Sequence, residues 1–182
     1  MSDEQPFSLL IVDDDKSMRQ SLLALMEAAG WQAEAGPRAD RALDKLGEIH
    51  PDVILSDVRM PGMSGLDLLA QLDRDFAPPL VLISAHGDIP MAVEAMQAGA
   101  YSSVEKPYEP RRLLTILTHA AEQSRMKASN ARLKERLFAL SGLDRVLLGQ
   151  TAAVAALREE VLDLAGLDGA VMVLGETGTG KE

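Results

Sequence analysis

Asp57 closes an apolar run, Asp52-Val53-Ile54-Leu55-Ser56-Asp57, and four other residues able to do chemistry, Asp13, Asp14, Ser84 and Lys106, also stand where apolar runs give out. A parallel sheet would gather all five at one edge. Three carboxylates, one hydroxyl and one ammonium in that place can hold a divalent metal and a phosphoryl group. Asp57 offers a carboxylate nucleophile of the type that forms aspartyl-phosphate. Asp13 and Asp14, after Leu9-Leu10-Ile11-Val12, supply hard oxygen ligands that suit Mg²⁺. Lys106 and the metal would neutralise the transferring group, leaving the protein mainly positioning and electrostatics to provide. Ser84, after Leu80-Val81-Leu82-Ile83, would donate its hydroxyl to a phosphoryl oxygen. Each residue alone has a plainer reading. Acids ahead of Lys16-Ser17 suit a helix cap, and a lone Ser or Lys at a strand end is usually just solvated. The five together favour the phosphoryl chemistry. His86, two positions after Ser84, could act as a base or relay, but a loop side chain that tunes access is the simpler account; His50 and His119 carry no argument.

The elements that must position these residues follow from the hydropathy pattern. Apolar runs of strand length at Ser8 to Val12, Gln32 to Ala35, Val53 to Ser56, Leu80 to Ser84 and Ala100 to Val104 alternate with helical patterns. The helices are expected near Ser17 to Ala29, Arg41 to Gly47, Gly65 to Asp73 and Pro90 to Gln97, with Gly30 and Gly99 placed to end the first and fourth. Five strands with intervening helices predict an α/β, doubly wound, five-stranded parallel sheet covered on both faces. Such folds bind ligands at the carboxyl ends of their strands.

Beyond Pro110 a long helix without Gly or Pro is expected from about Arg111 to Ala139. Leu113, Leu117 and Ala120 share one stripe, and Leu133, Leu137 and Leu140 share another with the four-then-three spacing of a coiled-coil seam. Glu122 to Arg132 between them is polar and poorly patterned. The helix either packs on its own domain alone or also pairs with a second copy. Ser141-Gly142 breaks it, and a helix from about Ala152 to Ala165 follows.

The composition narrows the function classes. The chain has 182 residues, 47% of them hydrophobic, which is enough for a packed core. Only 3% are aromatic, so that core is built from Leu, Ile, Val, Ala and Met. A formal net charge of −10 disfavours a nucleic-acid or anionic-membrane surface, because phosphate affinity needs clustered Lys and Arg. There is no Cys, so thiol chemistry and disulfides are out. An acidic N-terminus and the lack of a long apolar run argue against a signal peptide or membrane span and for a cytoplasmic location.

A second chemical signal closes the chain. Ala170-Val171-Met172-Val173-Leu174 reads as a buried strand running into Gly175-Glu176-Thr177-Gly178-Thr179-Gly180-Lys181, seven of the eight positions of a P-loop, with Glu182 in place of the final Ser or Thr. ATP binding through Gly175 to Lys181 is the activity this loop suggests. With no helix behind it to complete the site, the chain is not expected to hydrolyse ATP. It reads most simply as part of a longer protein.

Asp13-Asp14, Asp57 within Ser56-Asp57-Val58-Arg59-Met60-Pro61-Gly62, Ser84-Ala85 and Lys106-Pro107 together resemble the receiver domain of two-component response regulators, over roughly Phe7 to Leu117. The resemblance implies a flavodoxin-like fold. It also implies a phosphoryl group passed from a phospho-histidine on a sensor kinase to Asp57, and an Mg²⁺ site of Asp13, Asp14, Asp57 and the backbone carbonyl of Arg59. A cis peptide at Lys106-Pro107 is implied too, an isomer that only X-Pro bonds adopt at small cost. Leu147 to Thr151 and Gly175 to Glu182 resemble the start of the AAA+ domain of sigma-54-dependent activators of the nitrogen-regulation class. His86 to Met96 is similar to C4-dicarboxylate transport regulators. The implied organisation is a receiver over 1–120, a helical linker over 121–142, and the beginning of the ATPase domain over 143–182.

By this resemblance the receiver would control a homodimer formed through its fourth and fifth helices and the linker. In a longer protein it would gate ATPase assembly, with sigma-54 RNA polymerase and DNA as partners met only through other segments. Rival readings are an ATPase completed by another chain and a dimerisation module indifferent to phosphate. One residue departs from the family pattern: receivers carry Phe or Tyr three positions before the lysine, and here that position is Ser103. Tyr101, two residues earlier, is expected on the same sheet face without being its equivalent. Output through backbone shifts of the fourth and fifth helices is expected instead of an aromatic rotamer switch.

Overall fold

The computed structural model describes residues 5–73, 77–85, 89–141, 147, 151–164 and 172. The chain divides into two units, Met1–Ala128 and Ser129–Glu182. The first begins β1 (Ser8–Val12), α1 (Lys16–Ala28), β2 (Gln32–Gly36), α2 (Ala39–Ile49) and β3 (Val53–Asp57). It continues with α3 (Gly65–Gln71), β4 (Leu80–Ser84), α4 (Ile89–Ala98), β5 (Ser102–Glu105) and the start of α5 (Pro110–Ser141). All pairings are parallel, in the order β2-β1-β3-β4-β5.

The three inner strands carry no polar-apolar alternation because both of their faces are covered. On one face Leu9, Ile11, Val53, Leu55, Val81 and Ile83 pack under Leu22 and Met26 of α1 and Leu113 and Leu117 of α5. On the other, Leu10, Val12, Ile54, Leu80 and Leu82 pack under Ala39 and Ala42 of α2, Leu68 of α3 and Ala95 of α4. Each fully buried Leu or Ile contributes about 1.5–3 kcal/mol relative to exposure. The sheet is therefore a stiff platform on which strand ends are held in register.

The helix ends follow local chemistry. Asp15 caps α1, its carboxylate accepting from the N–H of Ser17 at 2.7 Å and of Met18 at 3.2 Å. Gly30 (φ 78°) and Gly99 (φ 103°) turn the chain out of α1 and α4 through left-handed backbone, as expected. Several boundaries differ from the hydropathy reading by one or two residues, three of them for a visible reason. α2 extends to Ile49 and is ended by His50 itself in the left-handed region, φ 47°. α3 stops earlier, at Gln71, because Leu72 is already extended. β5 starts at Ser102, not Ala100, because Ala100 N–H still donates to the Ala95 carbonyl as the chain leaves α4.

In the second unit, α6 (Ala152–Leu164) starts after Thr151, whose hydroxyl accepts from the N–H of Val154 at 3.3 Å. Arg158 on α6 donates to the Leu147 carbonyl. The strand expected over Ala170 to Leu174 falls, Met172 aside, outside the described residues, as do the loop Gly175 to Lys181, Glu182 and His86. No described helix is long and apolar enough to cross a membrane.

Candidate functional site

Register decides which side chains meet. Val12 pairs with Ser56, Asp57 with Ile83, Ile83 with Val104, and Ser84 with Glu105. Ile11, Leu55, Ile83 and Val104 belong to the core under α1 and α5. Asp13, Asp57 and Lys106 each stand two residues past one of these, so the polar cluster continues an apolar face off the sheet's carboxyl edge. Here Lys106 Nζ donates to Asp57 Oδ2 at 2.5 Å and lies 3.5 Å from Asp13 Oδ2. The Lys106-Pro107 peptide is cis. Lys106 N–H donates to the Ser84 carbonyl at 2.8 Å, tying the end of β5 to the end of β4.

The acids are differentiated by environment. Asp15 takes the cap of α1, which leaves Asp13 and Asp14 for other work. Asp13 is buried, with Oδ1 accepting from the Asp15 N–H at 2.8 Å. Its Oδ2 accepts no hydrogen bond: Lys106 reaches it only at ion-pair distance. Burial pushes the Asp13 carboxyl above its ordinary value; the Asp15 N–H and Lys106 oppose this, and the Asp57 charge adds to it. Burial also works against the Lys106 ammonium, but Asp57 and then Asp13 outweigh it and raise its pKa. Asp14 is exposed, and one oxygen from each of Asp13, Asp14 and Asp57 lies within 4.8 Å of the others.

Two backbone features fix Asp57. The Arg59 N–H donates to Asp57 Oδ1 at 3.0 Å, holding the residue whose carbonyl is expected to offer a metal ligand beside the Asp57 carboxylate. Gly65, at the start of α3, sits so close that a Cβ there would collide with the Asp57 carbonyl oxygen and stand 2.8 Å from Leu82 Cδ2. One contributor was not legible in the pattern. Arg19, one turn into α1, donates from Nη1 to the Asp13 carbonyl at 2.6 Å and so holds the β1–α1 turn that aims Asp13. Its spacing, six residues after Asp13, is the only signal that could have pointed to it.

Ser84 is buried at the last position of β4, one residue past the register partner of Asp57. It borders an open groove of about 940 Å³, also lined by Val93, Met96, Ser103 and Arg112. Ser103 lies in β5 beside this space. Tyr101 does not share its position: it precedes β5, so strand alternation does not govern it, and it packs with the Leu113 and Leu117 cluster.

Sheet order, edge cluster and family comparison agree, and the chain belongs to the response regulator receiver family. The family described as response regulator receiver domain matches residues 9–118. Over its whole length the chain is 39% identical to the C4-dicarboxylate transport transcriptional regulatory protein DctD of Pseudomonas aeruginosa, of which it spans 40%. The solved structure of FixJ-N is 37% identical over 65% of this chain and 95% of its own, with a TM-score of 0.61. That of NtrX from Brucella abortus in complex with ADP is 28% identical over 88% of this chain and 34% of its own, with a TM-score of 0.65. The fold is thus the flavodoxin-like receiver fold, and the chain is similar to the amino-terminal part of longer transcriptional regulators.

The residues present fit an Mg²⁺ ion. Three carboxylates cluster beside one ammonium, and Asp13 keeps a buried oxygen without a hydrogen bond, which a bound cation would satisfy.

Proposed function

We propose that Asp57 accepts a phosphoryl group from a phospho-histidine on a sensor kinase and that this switches the chain between two states of self-association. The observation that carries the reading is the Asp57, Asp13 and Lys106 cluster at the carboxyl edge of a receiver-family sheet. Asp13, Asp14, Asp57 and the Arg59 carbonyl would hold Mg²⁺, which when bound neutralises oxygens of the phosphoryl group. As an Asp57 oxygen bonds to phosphorus, the P–N bond of the donor breaks and the imidazole leaves with the bonding pair. The Arg59 N–H orients the acceptor through Oδ1, and Lys106 is already placed to move from Asp57 Oδ2 to a phosphoryl oxygen. Ser84 would donate its hydroxyl to another.

An added phosphoryl group brings about −1.5 to −2 charges to the sheet edge, enough to bias a nearby two-state surface. Ile89, Val93 and Met96 on α4 form an exposed apolar stripe beside the Ser84 groove, and Leu133 and Leu137 on α5 are exposed as well. These support a homodimer through α4, α5 and the linker helix. The division we adopt is a receiver over 1–120, a linker over 121–142 and the start of an AAA+ ATPase domain over 143–182. In the longer protein the receiver would gate ATP-dependent activation of sigma-54 RNA polymerase in the cytoplasm. ATP, through Gly175, Glu176, Thr177, Gly178, Thr179, Gly180 and Lys181, is a ligand of that longer protein only.

Light scattering with Mg²⁺ and beryllofluoride, a phosphoryl mimic, tests the switch. A change in mass that Asp57→Asn abolishes supports it; an identical mass with and without the mimic leaves the chain a dimerisation module indifferent to phosphate.

A further inference from the structure

The polar stretch after Ala121 contains a residue with an unusual set of partners. Arg125 lies on α5 one turn beyond Ala121, the last buried one among the helix's described side chains, and no described side chain from 122 to 134 is buried. Its guanidinium forms a two-point contact with Asp52, Nε to Oδ1 at 3.0 Å and Nη2 to Oδ2 at 2.8 Å. Nη1 donates to the Gln5 carbonyl and Nη2 to the Pro6 carbonyl, both at 2.7 Å. The same group lies 4.3 Å from the centre of the Phe7 ring, which in turn packs on Trp31 at 5.0 Å. A planar fork is needed to satisfy this set, which Lys cannot do.

Asp52 is itself anchored to the sheet. Its Oδ2 accepts from the Ser8 N–H at 2.8 Å and the Ser8 hydroxyl at 3.1 Å, and its own N–H donates to Ser8 Oγ at 3.0 Å. Ser8 opens β1 and Asp52 immediately precedes β3. The carboxyl ends of these two strands lead to Asp13 and Asp57, so Arg125 grips the opposite ends of the two strands that carry the acids, about 17 Å away at ~3.3 Å per residue.

We infer that the Arg125–Asp52 clamp is the joint through which the receiver sheet holds the first turns of the linker helix and passes its state to them. The clamp substitutes a charge-assisted network for the apolar packing that α5 loses after Ala121. The part of the helix up to Ala128, fixed in this way, has one rotational phase relative to β1 and β3. Released, its continuation is no longer tied to events at the acid-bearing edge. The coupling half of this inference rests on the phosphorylation reading above; the holding half does not.

The test compares the full chain with Arg125→Ala, Arg125→Lys and Asp52→Asn by hydrogen–deuterium exchange, intact mass after a phosphodonor, and light scattering. The clamp predicts that amides of residues 122–128 exchange at least tenfold faster in Arg125→Ala and Asp52→Asn, with no rescue by Lys. It predicts phosphorylation within about twofold of the parent and loss of the phosphate-dependent mass change. Unchanged exchange in both Arg125→Ala and Asp52→Asn overturns the inference, and faster exchange with an intact mass change overturns the coupling. Should Arg125→Ala fail to fold, Asp52→Asn, which keeps the shape of the acid, decides alone. If the parent takes no phosphate, the proposed function fails while the exchange result still decides whether the clamp holds the helix.

Discussion

The Lys106 ammonium donates to Asp57 Oδ2 at 2.5 Å, joining residues 49 positions apart in the chain. With Asp13 Oδ2 at 3.5 Å, one cation sits between two carboxylates that would otherwise repel. Replacing Lys106 by Met should therefore slow phosphorylation of Asp57 by about 100–1,000-fold, the scale of losing one preorganised donor, while leaving Asp57 the modified residue. Single-turnover phosphorylation followed by peptide mapping reads both quantities.

Asp13 illustrates the cost of assembling the site. Its folded pKa is raised above 3.8 by burial, so at neutral pH its carboxylate opposes folding, and the fold gains stability as pH falls through the raised value. Asp13→Asn should stabilise the metal-free protein at pH 7. The same change should remove the stabilisation by Mg²⁺, which at a concentration tenfold above Kd is worth about 1.4 kcal/mol in the parent. Urea unfolding with and without Mg²⁺ separates the two effects.

Asp52 behaves in the opposite sense. Burial pushes its carboxyl up, but the Arg125 and Ser8 hydrogen bonds outweigh this and hold it below 3.8. Its contribution is present above the ordinary carboxylate range and is lost as pH falls through the lowered value. The stability gap between the parent and Asp52→Asn should be about 1–3 kcal/mol at pH 7, should begin to narrow below about pH 4 and should close as pH falls through the lowered value. A gap that is constant from pH 7 to pH 3 would contradict the ion-pair account.

Gly65→Ala sets a Cβ against the Asp57 carbonyl oxygen and Leu82, at the junction of two rigid elements. The cost should be about 2–4 kcal/mol, measured by urea unfolding, far above the few tenths expected of Gly→Ala at an open helix start. Ser103→Phe, by contrast, points a ring toward the groove of about 940 Å³ beside Ser84 and should fold normally. An unchanged response to phosphorylation in that variant supports output through the backbone of α4 and α5; a strengthened one shows that a missing ring limits it.

The parts of the site legible in the amino-acid sequence are those fixed by strand ends. Val12 pairs with Ser56, the next residue, Asp57, pairs with Ile83, and Ile83 pairs with Val104, so the chemistry at and just after these positions had to converge once the runs were read as one parallel sheet. Asp15 was harder to separate from Asp13 and Asp14, since three adjacent acids differ only in which of them the helix start claims. Arg19 and Arg125 could not be read from pattern. Their long side chains act at a backbone carbonyl and across 73 residues, contacts that hydropathy does not encode. Tyr101 was misplaced because alternation was applied to a residue that precedes its strand.

The central claim, that Asp57 is a metal-dependent phosphoacceptor, is tested most directly by intact mass after incubation with acetyl phosphate, with and without Mg²⁺, beside Asp57→Asn. The account predicts one added phosphoryl group that requires both Mg²⁺ and Asp57. No added mass in the parent, or equal addition to Asp57→Asn, would contradict it.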